Sequence, residues 1–266
     1  MPRLRTLLFV LLLGTVMVSW GRATARAEHP QYLTVAAANS LKEALRTILP
    51  IFEKDRGNVE VRVVWGPSQS LRDKIEQGAP IDVFLPSSIE EIESLETKGL
   101  VLQGTKQVYA ETALVLITHA TVPVPVASLQ DLAGSHVRRI AIGDPKTSSV
   151  GKFAAQVLKN TALDGKLRSR YVYGEHSGAV LELVASGEAE VGLVYRTDAI
   201  HNKNVRVIAE IAPDTHHPIL YALATVWTAK NPFLAQQFKT FILSAKIQDI
   251  LKTHGFERAN AQIALR

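Results

Sequence analysis

The chain changes from a strand pattern to a helix pattern within the stretch Leu33-Thr34-Val35-Ala36-Ala37-Ala38-Asn39-Ser40-Leu41. Residues 33–37 are almost entirely apolar, which is typical of a buried strand. Apolar residues then recur at helical spacing at Leu41, Leu45, Ile48, Leu49 and Phe52. The pattern therefore predicts a buried strand, a short loop of small and polar residues, and an amphipathic helix.

The same order of strand, short loop and helix recurs along the chain. Further strands are predicted at 59–65, 81–85, 113–118, 137–142, 171–173, 191–195, 205–208 and 219–227. Helices are predicted at 71–77, around 89–95 before Gly99, at 151–160, before Gly187, and twice before Gly255. Such alternation is typical of an α/β fold with mostly parallel sheets flanked by helices.

The arrangement predicts two lobes rather than one continuous sheet. A second α/β unit is inserted between Glu111 and about Tyr221, and the chain afterwards returns to the first unit. We expect lobe 1 to comprise residues 28–111 and 221–266, and lobe 2 to comprise residues 112–220. Two crossing strands would join the lobes and leave a cleft between them.

The first 27 residues are expected to be an export signal and not part of the fold. Arg3 and Arg5 precede an apolar run from Leu7 to about Val18, and Ala25-Arg26-Ala27 has the form of a signal-peptidase site. The run is about 12 residues long, short of the roughly 20 that span a bilayer. We therefore expect cleavage after Ala27 and a periplasmic protein.

Charge and cysteine content exclude several classes of function. The full chain has 30 basic and 25 acidic residues, but four of the arginines lie in the expected signal. The remaining near-neutral balance gives no support for nucleic-acid binding. Because the chain contains no cysteine, it has no disulfide, no thiolate metal site and no cysteine that could carry a lipid anchor.

Four predicted loops share hydroxyl-bearing or small residues at the point where a strand gives way to a helix. They are Ala38-Asn39-Ser40, Pro67-Ser68-Gln69-Ser70, Thr147-Ser148-Ser149-Val150 and His176-Ser177-Gly178. In open α/β sheets, ligands bind beyond the carboxyl ends of the strands. Helix starts there present free N–H groups at the positive end of the helix dipole, so together they indicate an anion site.

Helix capping is an alternative interpretation of these serines. Ser40 and Glu43 have the spacing of a capping box, and Ser70 with Asp73 is similar. Each serine taken alone fits a cap better than a ligand contact. The occurrence of four such starts on one side of two lobes favours a ligand site.

The loops lack charged side chains that could act as counter-ions. Lys42, Arg72 and Lys152 fall within the following helices, where we expect them on solvated faces. A site built only from hydrogen-bond donors offers no acceptor to the O–H of a protonated oxyanion. It should therefore prefer fully ionised anions over hydrogen phosphate.

Enzyme motifs are weaker than the anion-site pattern. Residues 143–152 depart from a phosphate-binding loop, since Lys146 stands where its first glycine belongs and Phe153 replaces the Ser/Thr. Residues 174–178 lack the spacing of a nucleophile elbow. We expect no enzyme activity; an exported serine hydrolase using Ser177 or Ser40, and an interaction module, remain alternatives.

Several segments resemble the periplasmic molybdate-binding proteins of ABC transporters. They are Val35-Ala36-Ala37-Ala38-Asn39-Ser40-Leu41, Ile75-Glu76-Gln77-Gly78-Ala79-Pro80-Ile81-Asp82-Val83-Phe84, Gly143-Asp144-Pro145, Gly192-Leu193-Val194-Tyr195-Arg196-Thr197-Asp198-Ala199 and His254-Gly255-Phe256. They follow the order of that family over nearly the whole chain after residue 27. The resemblance implies a two-lobed type II periplasmic-binding-protein fold.

The resemblance also implies a site for molybdate, or tungstate, built from five positions. They are Ser40 and Ser68 through hydroxyl and N–H groups, Val150 and Ser177 through backbone N–H groups, and Tyr195 through its phenolic O–H. Asn39 is an additional candidate. Molybdenum would be bound only as the oxyanion, with no cofactor. The expected partner is an inner-membrane permease, and the protein itself is expected to be a monomer.

Two positions depart from the pattern of that family. His176-Ser177-Gly178 replaces the usual Asn-Val-Arg, and Pro67 replaces a Gly or Ser beside the ligand serine. A proline supplies no N–H, whereas Ser177 adds a hydroxyl. Both changes bear on the selectivity among oxyanions of different size, so a binding protein for another oxyanion remains an alternative within this class.

Overall fold

The computed structural model describes residues 30–122 and 124–259. Its ten strands are β1 (Gln31–Ala38), β2 (Val59–Gly66), β3 (Val83–Leu85), β4 (Gln107–Thr112), β5 (Leu114–His119), β6 (Ile140–Gly143), β7 (Tyr171–Gly174), β8 (Val191–Tyr195), β9 (Val205–Glu210) and β10 (Ile219–Thr225). They form two sheets of five strands, in the orders β2-β1-β3-β10-β4 and β7-β6-β8-β5-β9.

Nine helices in the described residues flank the sheets. They are α1 (Lys42–Arg56), α2 (Ser68–Glu76), α3 (Glu90–Thr97), α4 (Ser149–Asn160), α5 (Asp164–Leu167), α6 (Ser177–Ala185), α7 (Arg196–Ala199), α8 (Pro232–Ile242) and α9 (Ala245–Thr253). A single 3-10 turn, Asn39–Leu41, joins β1 to α1. No described helix is both long enough and apolar enough to cross a bilayer.

In each sheet four of the five strands run in one direction. β10 is antiparallel to both of its neighbours in the first sheet, and β5 is antiparallel to both of its neighbours in the second. The other neighbouring pairs are parallel. The predicted two-lobed α/β fold with mostly parallel sheets is therefore confirmed.

The chain passes between the sheets twice. It leaves the first sheet at Thr112 and enters the second at Leu114, and it returns between Glu210 and Ile219. Below, lobe 1 denotes the part built on the first sheet and lobe 2 the part built on the second. The expected signal peptide and its cleavage after Ala27 lie outside the described residues.

The observed elements differ from the predicted ones at their starts. α2 begins at Ser68 and α4 at Ser149, earlier than the predicted 71 and 151. Apolar periodicity begins only where side chains face the core, so the first polar turn of each helix is invisible to it. β4 was not predicted at all, because Gln107 at one end and Glu111 and Thr112 at the other leave it an apolar run of only three residues.

Aromatic side chains connect the two lobes. The ring of Tyr195 in lobe 2 lies 6.2 Å from that of Tyr221 in lobe 1, and Phe153 packs on the other side of Tyr195 at 6.4 Å. Tyr221 also packs edge-on against Phe256 at 4.9 Å. These contacts place the phenol of Tyr195, which is 1% exposed, at the boundary between the lobes.

Candidate functional site

A cavity lies between the lobes at the carboxyl ends of the parallel strands. It encloses about 280 Å³ of space free of protein atoms, including its mouth. Its lining residues are Ala38, Asn39, Ser40, Gly66, Pro67, Ser68, Ser87, Ser148, Ser149, Val150, His176, Ser177 and Tyr195. The structure thus brings together all five site residues named from the sequence, and Asn39 with them.

Capping does not account for the serines at these helix starts. The residue before the 3-10 turn is Ala38, so Ser40 lies inside the turn, and the structure shows no side-chain cap there. The cap residue of α2 is Pro67, which places Ser70 inside the helix. The capping interpretation of Ser40 and Ser70 is therefore wrong, because each turn begins earlier than the apolar pattern indicates.

Three of the serine hydroxyl oxygens accept a hydrogen bond from the protein. Ser40 Oγ accepts from the Tyr221 hydroxyl at 2.9 Å, and Ser68 Oγ accepts from the Ser87 N–H at 3.0 Å. Ser177 Oγ accepts from the Tyr195 N–H at 3.1 Å. The hydroxyl proton of Ser40 is therefore available for donation. Ser68 Oγ also lies 3.1 Å from Ser87 Oγ, where either hydroxyl can donate, and the Asp198 carboxyl is a second partner for the Ser177 hydroxyl.

Backbone N–H groups add to this set of donors. Within the described residues, no protein acceptor is found for the N–H groups of Ser40, Ser68, Val150 and Ser177. This follows from their positions, because the first N–H groups of a helix have no partner within it. The last three lie at the positive ends of the dipoles of α2, α4 and α6.

By standard hydrogen-bond geometry, two buried hydroxyl groups of the cavity have no partner in the part of the chain that is described, although Ser87 lies near that of Tyr195. They belong to Tyr195 and Ser149, which are 1% and 7% exposed. Burial raises the pKa of Tyr195 well above its usual value, so the phenol keeps its proton and remains a donor. Buried polar groups are nearly always paired, and unpaired ones facing a cavity are typical of a ligand site.

Sequence reasoning missed Ser87, Ser148, Ser149 and His176 as members of the site. Ser87 is 6% exposed and contacts Ser68 through both its N–H and its hydroxyl. Ser87 comes two residues after the end of the buried strand β3. The rule that ligands bind beyond the carboxyl ends of strands would therefore have selected it. Ser148 and Ser149 stood in a named loop, but only Val150 was selected there.

His176 caps helix α6 through its side chain. Its Nδ1 accepts the N–H of Ala179 at 3.1 Å, which leaves the proton of the neutral ring on Nε2. Burial lowers the pKa of His176, so the ring is neutral near pH 7. The ring thus accepts its hydrogen bond from Ala179, while Ser177 Oγ accepts from the Tyr195 N–H.

Charged side chains lie near the cavity but do not line it. Among the described residues, the lining contains no Lys, Arg, Asp or Glu. Lys42 is exposed as expected, and the Lys152 side chain is 40% exposed, whereas Arg72 is mostly buried. Both Arg72 and Lys152 bind the carboxylate of Glu91, at 2.7 and 2.9 Å. Because Glu91 is 1% exposed, its burial requires these partners.

One carboxyl group approaches the cavity from behind Ser177. Asp198 Oδ2 is buried and has no hydrogen-bond partner by standard geometry among the described residues. Burial raises the pKa of Asp198 to about 6, and hydrogen bonding to Ser177 opposes this shift. The group is therefore close to its ionisation point under mildly acidic conditions.

Known proteins resemble the chain over most of its length. YvgL of Bacillus subtilis, which is named as an ABC transporter substrate-binding lipoprotein, is 29% identical to this chain. The match covers 90% of this chain and 91% of YvgL. A solved substrate-binding domain assigned to a molybdenum ABC transporter of Clostridium difficile is 34% identical, with a TM-score of 0.71, over 86% of this chain and 99% of that one.

A second solved structure supports the fold. The periplasmic molybdate-binding protein of Azotobacter vinelandii is 26% identical, with a TM-score of 0.77, and covers 86% of this chain and 100% of its own. Residues 33–257 match the family described as bacterial extracellular solute-binding protein. Two α/β lobes around a donor-lined cavity agree with that match, and the chain belongs to the bacterial extracellular solute-binding protein family.

Proposed function

We propose that the chain is the periplasmic substrate-binding component of an ABC transporter, which captures molybdate or tungstate and delivers it to an inner-membrane permease. One observation carries the proposal: helix starts from both lobes, together with the unpaired buried hydroxyls of Tyr195 and Ser149 in lobe 2, line one cavity whose described lining has no charged side chain. The proteins named for molybdate among its relatives support the choice of anion.

Neutral donors are sufficient to hold a dianion. A hydrogen bond to a charged group contributes roughly 1.5 to 3 kcal/mol. Ser40, Ser68, Val150, Ser177 and Tyr195 offer at least one donor each, with Asn39 beside them. Five such hydrogen bonds sum to roughly 7.5 to 15 kcal/mol, which is comparable to an association cost of about 4 to 15 kcal/mol.

The direction of the hydrogen bonds gives the site its selectivity. The hydroxyl oxygens of Ser40, Ser68 and Ser177 accept from Tyr221, Ser87 and Tyr195, so they present protons rather than lone pairs to the ligand. An oxyanion that carries its own proton would find no carboxylate acceptor among the described residues that line the cavity. The proposed ligand is therefore a fully ionised tetrahedral oxyanion, and molybdenum enters only in that form.

Binding is coupled to closure of the lobes. Ser40 and Ser68 belong to lobe 1, whereas Val150, Ser177 and Tyr195 belong to lobe 2. Only the closed arrangement collects all of these donors around one anion, so the ligand shifts the equilibrium towards it. The closed monomer, without any cofactor, is the form that docks on the permease.

Titration calorimetry with molybdate, tungstate, sulfate and phosphate tests the proposal. We expect heat with molybdate or tungstate and much weaker binding of phosphate. Ser68→Ala should weaken oxyanion binding by about 1.5 to 3 kcal/mol, whereas Ser186→Ala, at an exposed position, should not. Absence of heat with both large anions would contradict the assignment.

Two further experiments distinguish the proposal from its alternatives. A hydrolase using Ser177 or Ser40 would react with a fluorophosphonate probe, and we expect no labelling. An interaction module would keep its partner after Ser68→Ala. Export with cleavage after Ala27 belongs to the same proposal, and mass spectrometry of the periplasmic protein should find Glu28 at its N-terminus.

A further inference from the structure

We infer that Ser149 is an additional anion-binding residue, whose hydroxyl donates to the same oxyanion as the N–H of Val150. The inference rests on the proposed function and extends it. It adds a side-chain donor from lobe 2 that was not among the five positions derived from the sequence.

The environment of Ser149 separates it from the other serines of the cavity. Its side chain is 7% exposed, and its Oγ is buried with no hydrogen-bond partner in the described part of the chain. Ser40, Ser68 and Ser177 each have a protein donor for Oγ. A hydroxyl that is shielded from water and unpaired requires a partner, and the cavity that it lines is where one can be supplied.

The position of Ser149 excludes a role as a helix cap. It is the first residue of α4, the preceding residue is Ser148, and the structure shows no side-chain cap at this start. The Ser148 carbonyl accepts the Lys152 N–H at 3.0 Å, so the first turn is regular. The hydroxyl of Ser149 is therefore not used to stabilise the helix, although serine is a residue type often found near helix starts.

The first turn of α4 packs closely against the end of β6. A Cβ atom built on Gly143 would come within 2.6 Å of the Gly151 nitrogen, which leaves no room for the turn to move towards β6. Ser149 and Val150 thus occupy a rigid turn, and their hydroxyl and N–H donors belong to the same cavity wall. Preorganised donors of this kind favour a charged acceptor.

Ser149 also changes the balance of donors between the lobes. Lobe 1 supplies the hydroxyls of Ser40 and Ser68, whereas lobe 2 without Ser149 relies on Tyr195 and the hydroxyl of Ser177. The latter is adjacent to the Asp198 carboxylate, which competes for its proton. A hydroxyl without a competing acceptor gives lobe 2 a stronger hold on the anion.

Calorimetry of Ser149→Ala tests the inference. We expect the Kd for molybdate to rise about ten- to a hundredfold, the loss typical of one hydrogen bond to a charged group. Ser149→Thr keeps the hydroxyl and should retain most of the affinity, while Ser186→Ala should bind as the wild type does. Wild-type affinity in Ser149→Ala would overturn the inference.

Further arms keep the two proposals distinguishable. If the wild type binds sulfate or phosphate but neither molybdate nor tungstate, the proposed ligand is wrong, and the same variants are compared on the anion that binds. If it binds none of the four, both proposals fail. The melting temperature of ligand-free Ser149→Ala should equal that of the wild type. Should this variant not fold, Ser149→Cys keeps the volume with a weak donor, and unchanged affinity in it would refute the role.

Discussion

Tyr195 is the residue whose burial and lack of a partner are hardest to explain without a ligand. Its ring packs between Phe153 and Tyr221, but its hydroxyl pairs with nothing by standard geometry in the described residues. Removing an unpaired buried hydroxyl does not cost stability. For the same reason the effect of its removal on binding should be free of folding artefacts.

We predict that Tyr195→Phe lowers oxyanion affinity about ten- to a hundredfold, since one hydrogen bond to the anion is lost, and leaves the melting temperature unchanged or higher. Tyr109→Phe is the matched control. Tyr109 is also buried with an unpaired hydroxyl, but it does not line the cavity. Equal affinities for the two variants, measured by calorimetry, would remove Tyr195 from the site.

Asp198 gives the protein a pH-dependent stability. Its pKa is raised from the ordinary 3.8 to about 6 by burial, so the folded state favours the protonated carboxyl. The free energy of unfolding should then fall as the pH rises from about 4 to about 6, because ionisation is easier in the unfolded chain. Above about pH 6 the carboxyl is ionised in both the folded and the unfolded state, so its destabilising effect on the free energy of unfolding no longer changes with pH.

We predict that Asp198→Asn removes this penalty. The melting temperature of the variant minus that of the wild type should increase between pH 4 and pH 7, as measured by thermal unfolding without ligand. The exposed Asp55→Asn serves as the control for a simple loss of charge. A difference that stays flat across this range would show that the Asp198 carboxyl does not ionise in the folded protein within it.

At the scale of elements, the start of α4 depends on two glycines. Gly143 ends β6 and Gly151 lies in the first turn of α4, and the two backbones approach too closely for any side chain. A Cβ atom on Gly143 would also lie 2.8 Å from Ser148 Oγ. Glycine is needed here for close approach of two backbone segments, not for an unusual φ.

Gly151→Ala should therefore displace the first turn of α4 together with Ser149 and Val150. We expect a loss of about 1 to 3 kcal/mol in the free energy of unfolding, typical of overpacking, and weaker anion binding. Chemical denaturation and calorimetry measure the two effects. Gly165→Ala in α5, where a Cβ atom would meet nothing within 4 Å, should show neither. Similar results for both variants would contradict the packing argument.

At the scale of the whole molecule, Glu91 connects the lobes outside the cavity. Its buried carboxylate binds Arg72 within lobe 1 and Lys152 of lobe 2. Opening of the cleft would separate Lys152 from Glu91, while Arg72 would stay. The ion pair with Lys152 therefore contributes to the closed form only.

Lys152→Met should weaken oxyanion binding about two- to fivefold, because a partly exposed ion pair contributes up to about 1 kcal/mol. The effect should diminish at high salt, since Lys152 is 40% exposed in its side chain. Calorimetry at two salt concentrations measures it, with the exposed Lys159→Met on the same helix as the control. If both variants weakened binding equally, the cause would be the loss of one positive charge from α4 and not the ion pair with Glu91.

The amino-acid sequence by itself determined the two-lobed α/β class and predicted the place of the candidate site. Buried strands and amphipathic helices leave apolar periods that can be read directly, and the rule on strand ends then indicates four loops. The five positions Ser40, Ser68, Val150, Ser177 and Tyr195 came from the resemblance to the molybdate-binding proteins. Helix starts were predicted late, because their polar first turns carry no apolar period.

Only the tertiary structure decided how the donors are oriented and which further residues join them. Ser40 Oγ meets Tyr221 from a position 181 residues away, and the partners of Glu91 come from both lobes. Likewise, Ser148 and Ser149 are the same residue type, but the hydroxyl of Ser149 is buried without a partner by standard geometry in the described residues. Hydrogen-bond direction and burial depend on contacts between distant segments, and a local pattern of residue types contains no information about them.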